Sequence, residues 1–287
     1  MLRRWSIPLA TLVIAVGSLL GLVAGNASAA TVHHPSTTTA RPGGATVHGF
    51  KPGGVMLRPG GGAAHATERN GHFQAESTNW SGYAVTGSNG SFTSVSASWT
   101  QPTATCTSGG GRRGSSDEYA AFWVGLDGYS SDSVEQTGSD SDCDGRTPDY
   151  YGWYEMYPAD PVYYTNTVEP GDSMSASVTF SGTDTYTLVL KDSTQGWTQT
   201  QKINESGFDR SSAEVITEAP CCTASGGILP LSDFGTINYT ASSDNGSSMG
   251  TQSPTSIVMI DNSGLDKDST SSMSSSGAFS NTWIRSS

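Results

Sequence analysis

The feature of this 287-residue chain that most limits its fold is a series of short period-two segments, broken by turn clusters, with no convincing amphipathic helix among them. Val95, Ala97 and Trp99 alternate with Ser and Thr over Ser94–Gln101, and Met174, Ala176, Val178 and Phe180 alternate over Met174–Phe180. Thr185–Leu190, Ile228–Tyr239 and a last run around Phe279–Ile284 are also β-prone. Ser88-Asn89-Gly90, Ser181-Gly182-Thr183-Asp184 and Asp244-Asn245-Gly246 supply the turns. Residues 77–287 therefore predict one all-β sandwich or barrel.

The beginning of the chain has a different character. Met1–Ala30 carries Arg3 and Arg4, an apolar stretch from Ile7 to Val23, and the small run Ala27-Ser28-Ala29-Ala30, which together predict a secretory signal peptide. The competing reading is a single membrane anchor, for which the apolar stretch is close to the lower length limit. The expected product is secreted and extracellular, with no membrane attachment once the leader is removed. Residues 31–76 contain Pro35, Pro42, Pro52, Pro59 and several glycine runs with almost no apolar periodicity, and read as a Gly/Pro/His-rich propeptide or linker without a core of its own.

All five histidines, His33, His34, His48, His65 and His72, lie in that segment. Residues 77–287 therefore cannot host a Ser-His-Asp or Cys-His nucleophile, or a metal site with imidazole ligands. Catalysis there would fall to carboxylates, amides or tyrosines, with no cofactor or metal expected. The same residues hold 24 acidic and 8 basic side chains, and the whole chain has a formal net charge of −12, which excludes nucleic-acid binding through a basic footprint. So acidic a surface suits acidic surroundings, where protonation relieves its self-repulsion; plain solubility of a secreted protein is the simpler account. Cys106, Cys143, Cys221 and Cys222 suggest two disulfides in an exported chain. Bonds from 106 and 143 to the 221/222 pair would avoid a strained bridge between neighbours, but three connectivities stay open.

Three stretches stand out: Phe122–Asp140, Asp149–Pro158 and Ala213–Glu218. On a period-two strand Trp153, Glu155 and Tyr157 share a face, as do Glu214, Ile216 and Glu218. Core packing accounts for any single Trp, and a solvated face for Glu214 and Glu218. A carboxylate between two rings on one face is harder to place: buried, it needs a partner or a raised pKa, and exposed, it lines a wet aromatic groove. Both outcomes indicate a cleft.

Asn79-Trp80-Ser81-Gly82-Tyr83, Trp123-Val124-Gly125-Leu126-Asp127-Gly128, Gln136-Thr137-Gly138, Trp153-Tyr154-Glu155-Met156-Tyr157-Pro158 and Ala213-Glu214-Val215-Ile216-Thr217-Glu218 occur in an order that resembles the eqolisins, the glutamic peptidases. The resemblance implies an antiparallel β-sandwich of two large sheets, concanavalin-A or lectin-like, preceded here by a disordered pro-segment. It places the catalytic pair at Gln136 and Glu218 and lines the cleft with Trp80, Trp123, Asp127, Asp140, Trp153, Glu155 and Tyr157. Two places depart from the fungal pattern: Ala219-Pro220 stands where an acidic residue and an aromatic tend to follow the catalytic glutamate, and Tyr151 stands where an acidic residue is often found just before the Trp-Tyr-Glu motif.

The chemistry is self-consistent. Peptide hydrolysis needs an activated water, a donor for the developing oxyanion and a proton for the leaving amine. A Glu218 carboxylate can take a proton from water and return it to nitrogen, with no covalent intermediate, while the Gln136 amide donates to the oxyanion and helps hold the water. A carboxyl group with an ordinary pKa of about 4.3 predicts an acid-acting endopeptidase. Its partners would be polypeptide substrates and its own propeptide as inhibitor, and the protein would act as a monomer. The alternatives are a carbohydrate-active sandwich using Glu155 and Glu218 as paired carboxylates, and a non-catalytic aromatic binding module.

Overall fold

The structure, a computed structural model, describes residues 56–57, 66–69, 72–106, 117–221 and 227–287, with the backbone alone for 66–69, 72 and 73. The expected signal peptide, most of the expected propeptide and Cys222 lie outside these residues. The strands are β1 (Ala66–Arg69), β2 (His72–Ser77), β3 (Trp80–Thr86), β4 (Ser94–Thr100), β5 (Ala121–Leu126), β6 (Val134–Asp144), β7 (Thr147–Tyr157), β8 (Val162–Tyr163) and β9 (Ser173–Phe180). They continue with β10 (Thr185–Asp192), β11 (Trp197–Asn204), β12 (Ser212–Glu218), β13 (Thr236–Asp244), β14 (Ser247–Ser248), β15 (Thr255–Met259), β16 (Asp268–Thr270) and β17 (Phe279–Trp283). Among the described residues a 3-10 turn at Met249–Thr251 interrupts this all-β course.

Two sheets form the expected sandwich. A nine-stranded sheet has the order β1-β2-β15-β3-β12-β5-β6-β7-β8, and an eight-stranded sheet has the order β11-β10-β9-β4-β13-β17-β16 with β14 paired to β13. One pair departs from the antiparallel expectation: β15 runs parallel to β2 and antiparallel to β3. β2 and β3 follow each other across a bend at 78–79, and β15 fills the gap between them. The sheet thus begins before residue 77, because β1 and β2 pair with each other and β2 pairs with β15. Part of the segment read as linker belongs to the sheet.

The alternation that predicted strands is clearest in the eight-stranded sheet. β4, β9 and β10 bury every second residue, and Val95, Ala97, Trp99, Met174, Val178, Leu188 and Leu190 point into the core between the sheets. Burying each Val or Leu stabilises the fold by roughly 1.5–3 kcal/mol. Ile228–Tyr239 forms a strand only from Thr236: Pro230 lacks a donor and Gly235 sits at φ 64°, so Ile228 and Leu231 make isolated bridges instead.

Strands β3, β5, β6 and β12 are buried along nearly their whole lengths. Their inner residues Phe122, Val124, Leu126, Ala213 and Val215 join the inter-sheet core, whereas Trp80, Trp123, Trp153, Ile216, Val134 and Ile257 form a second apolar cluster on the sheet's other face. Of the three connectivities open from the sequence, the structure shows the one in which Cys106 is bonded to Cys143, tying the chain after β4 to the end of β6, and Cys221 is also disulfide-bonded. Bonds crossing from Cys106 and Cys143 to the 221/222 pair are therefore not formed.

Candidate active site

The second face of the nine-stranded sheet gathers nearly all the side chains singled out in the sequence. Cross-strand register sets them in rows. Glu214 on β12 lies opposite Gly125 on β5, which lies opposite Gln136 on β6, which lies opposite Glu155 on β7. The next row on this face runs Ile216, Trp123, Gly138, Trp153, and the third runs Glu218, Ala121, Asp140, Tyr151. Trp80 on β3 pairs with Glu218 on its other side. Strand parity alone puts all of them on one face.

Glycine makes the arrangement possible. A Cβ at Gly138 would fall 2.2 Å from the Phe122 carbonyl oxygen and 2.6 Å from Trp123 Cβ, and one at Gly125 would fall 2.9 Å from the Trp123 ring. Large rings and bare backbone thus alternate along the rows, which lets Trp123 lie down across the sheet. Trp80 meets Trp123 edge-on with ring centroids 4.8 Å apart, a favourable arrangement for aromatic quadrupoles.

Glu218 is fully buried and held at both oxygens: Trp123 Nε1–H donates to Oε2 at 2.9 Å, and Asn79 Nδ2–H donates to Oε1 at 3.1 Å. Burial pushes its pKa well above the ordinary carboxylate range and the nearby Glu155 charge adds to this, while the Trp123 and Asn79 donors work against them. Gln136, also fully buried, donates from Nε2 to Glu155 Oε2 at 2.6 Å. Its amide oxygen Oε1 has no hydrogen-bond partner among the described residues. Asp140 accepts from Trp153 Nε1–H at 2.6 Å, which fixes that ring beside the pair. Tyr157 is half-buried at the edge of the same cluster.

Asp127 has other business. It follows β5 with φ 69°, and its carboxylate accepts from the Arg210 N–H at 2.6 Å and the Ser211 N–H at 2.8 Å, fastening the entry to β12. It positions the strand that bears Glu218 rather than sharing the tryptophan rows. Glu214 is buried, not solvated, and burial raises its pKa well above the usual range.

Two contributors were not legible in the sequence. Met56 is buried in the same cluster as Trp80, Trp123 and Trp153, and its N–H donates to the Gly128 carbonyl at 3.1 Å. Leu57 donates its N–H to Asn79 Oδ1 at 2.8 Å, and its carbonyl accepts from the Thr78 N–H at 2.8 Å and from Ser77 Oγ at 2.8 Å. No local pattern marks Met56 or Leu57. Asn79 opens the Asn79-Trp80-Ser81-Gly82-Tyr83 motif, where its residue type alone does not mark a contact with Glu218.

The model of the Peptidase A4 family matches residues 78–283. This chain belongs to the Peptidase A4 family. Within it, scytalidopepsin B of Scytalidium lignicola is 32% identical over 140 residues, 48% of this chain and 47% of that protein, so the matched region spans about half the relative's length. The crystal structure of scytalido-glutamic peptidase with a transition state analog inhibitor superposes with a TM-score of 0.61 at 25% identity, covering 72% of this chain and 98% of that one. Aspergilloglutamic peptidase from Aspergillus niger gives a TM-score of 0.51 at 25% identity, over 58% and 99% of the two chains. The Peptidase A4 match starts one residue before Asn79 and takes in every row described above.

Proposed function

We propose that this chain is a secreted glutamic endopeptidase that acts on polypeptides in acid and is made as a precursor. The observation that carries the reading is a primary amide and a carboxyl group, Gln136 and Glu218, buried on one tryptophan-lined sheet face, with the Gln136 oxygen left unpaired among the described residues. Membership of the Peptidase A4 family favours it over the carbohydrate-active alternative. Glu155, which that alternative paired with Glu218, is engaged by the Gln136 amide.

In this mechanism Glu218 as carboxylate removes a proton from water as the oxygen attacks the peptide carbonyl, then delivers it to the departing nitrogen. Trp123 and Asn79 each occupy one lone-pair direction on Glu218 and leave others for the water. Glu155 takes one of the two Gln136 amide hydrogens, so the other is aimed by that anchor and can stabilise the tetrahedral oxyanion, while Oε1 accepts from the water. No metal or covalent enzyme intermediate is needed.

Both Gln136 and Glu218 are fully buried, and Met56 and Leu57 sit on their face of the sheet. This supports a latent precursor in which Met56 and Leu57, ahead of β1, occupy the cleft as part of an inhibitory propeptide. Its departure readmits water to Glu218 and brings the carboxyl pKa back toward the ordinary range, since burial is the largest cause of its rise. We place the activating cut near residues 70–78, within or beside β2, so the N-terminus of the active product reports whether β2 leaves with the segment.

The test is hydrolysis of denatured casein near pH 4 by the acid-treated chain and by its Glu218→Gln variant. Wild type should cleave and the variant should lose about 10³-fold in rate while keeping its fold. Normal turnover by folded Glu218→Gln, or cleavage of polysaccharide in place of casein, would remove the proposal.

A further inference from the structure

Asn79 hydrogen-bonds through its side chain both to Leu57 and to Glu218. It occupies the bend between β2 and β3, where its carbonyl accepts from the Ala219 N–H at 2.8 Å, directly after Glu218 in the chain. The residue is 1% exposed. The amide is used at both ends: Oδ1 accepts from Leu57 N–H at 2.8 Å and from Ser77 Oγ at 3.0 Å, while Nδ2 donates to Glu218 Oε1 at 3.1 Å. Ser77 and Thr78 meanwhile hold the Leu57 carbonyl. Leu57 is thus received through its main chain, by its N–H and its C=O.

We propose that Asn79 is a positioning residue of the hydrolytic site, its amide oxygen receiving a backbone N–H of the polypeptide bound in the cleft while its NH2 fixes one oxygen of Glu218. The proposal rests on the peptidase reading, with Leu57 showing how a peptide unit is received. An isosteric carboxylate could not serve, because an ionised Asp offers no donor to Glu218. A single planar amide makes the two contacts interdependent: the rotamer that offers Oδ1 to the peptide necessarily turns Nδ2 toward the carboxyl. Substrate binding and orientation of the general base are therefore linked through one side chain.

A pH signature follows. The groups on the face toward Glu218 are Glu155 and Tyr151 on β7, Asp140 on β6 and Glu214 on its own strand β12. All are acids, so the neutral side chains Trp123, Asn79 and Trp80 favour the Glu218 carboxylate against burial and against like charge. Removing the Asn79 donor moves the Glu218 titration upward, by about one pH unit for loss of one hydrogen bond to a charged group.

The experiment compares the full-length wild type and Asn79→Ala, both activated in acid, for kcat and KM on an extended peptide between about pH 3 and 6, a range bracketing the free carboxyl pKa. The variant should show KM raised about tenfold and the acidic limb of the profile raised by about one unit. Asn79→Ser, which keeps a small polar residue at the bend but cannot reach Glu218, gives the same two changes and decides the matter if the alanine variant does not fold. A folded variant with unchanged KM and acidic limb overturns the proposal, as does a fall in kcat alone, the mark of a general structural loss. Absence of hydrolysis by the activated wild type refutes the underlying peptidase reading instead.

Discussion

The two sheets of this sandwich use the same strand geometry to opposite ends. The eight-stranded sheet buries one face: β10 alternates half-buried Thr185, Thr187 and Val189 with buried Tyr186, Leu188 and Leu190. The nine-stranded sheet buries both faces through β3, β5, β6 and β12, and it does so with Glu135, Gln136, Asp140, Glu155, Glu214 and Glu218 among its fully buried residues. One sheet spends its pattern on stability. The other holds polar groups in a dry place, where hydrogen bonds and charges act strongly and where misplacing one is costly.

The largest expected effect that sharpens this contrast is in the second sheet. Gln136→Ala should reduce hydrolysis about 10²–10³-fold, measured as kcat on a peptide substrate, with little change in the urea midpoint. A matched change in the first sheet should do the reverse. Leu188→Ala should lower unfolding free energy by about 2–5 kcal/mol in urea melts and leave kcat of the remaining folded protein alone.

A smaller effect concerns pH. Burial raises Asp268 to about 7 and Glu135 to about 10, so in the folded state each binds its proton more tightly than in the unfolded chain. Their stabilising contribution is complete below the unfolded carboxyl pKa of about 4 and is lost as pH rises through the folded values. Lys267, pushed down to about 8 by burial, acts in the opposite sense only above that value. Melting temperature should therefore fall from about pH 4 to pH 8, and Glu135→Gln should flatten the decline. A curve that rises over that interval would break the account. The smallest effect belongs to the wet face of the eight-stranded sheet, where exposed Thr200→Ser should shift stability by less than about 0.5 kcal/mol in the same melts.

The contrast also explains what the sequence revealed. Ser94–Thr100 and Ser173–Phe180 were read as strands almost to their ends, because a half-wet strand must alternate. Strand β12, buried throughout, carries Glu214 and Glu218 where polarity suggests solvent, so its carboxylates first read as a solvated face. The family resemblance singles out Gln136, Trp153 and Glu218, which the register sets on one face of the nine-stranded sheet and which periodicity alone does not mark. Parity then kept Trp153, Glu155 and Tyr157 together. Asp127 was placed in the cleft by its neighbours in the motif, but its carboxylate is consumed by the backbone of Arg210 and Ser211, a long-range contact that no local signal announces. Met56 and Leu57 lie in a Gly/Pro-rich stretch with no apolar period, and the hydrogen bonds of Leu57 run through its main chain, which leaves almost no imprint on side-chain choice.

That last point bears on recognition in general. Leu57 is gripped through N–H and C=O by Asn79, Ser77 and Thr78, groups that any non-proline residue would satisfy equally. A reader of main chain discriminates between stretched and folded strands before it discriminates between letters, so proline placement and local unravelling, more than composition, would govern which stretches of a foreign chain can take Leu57's seat.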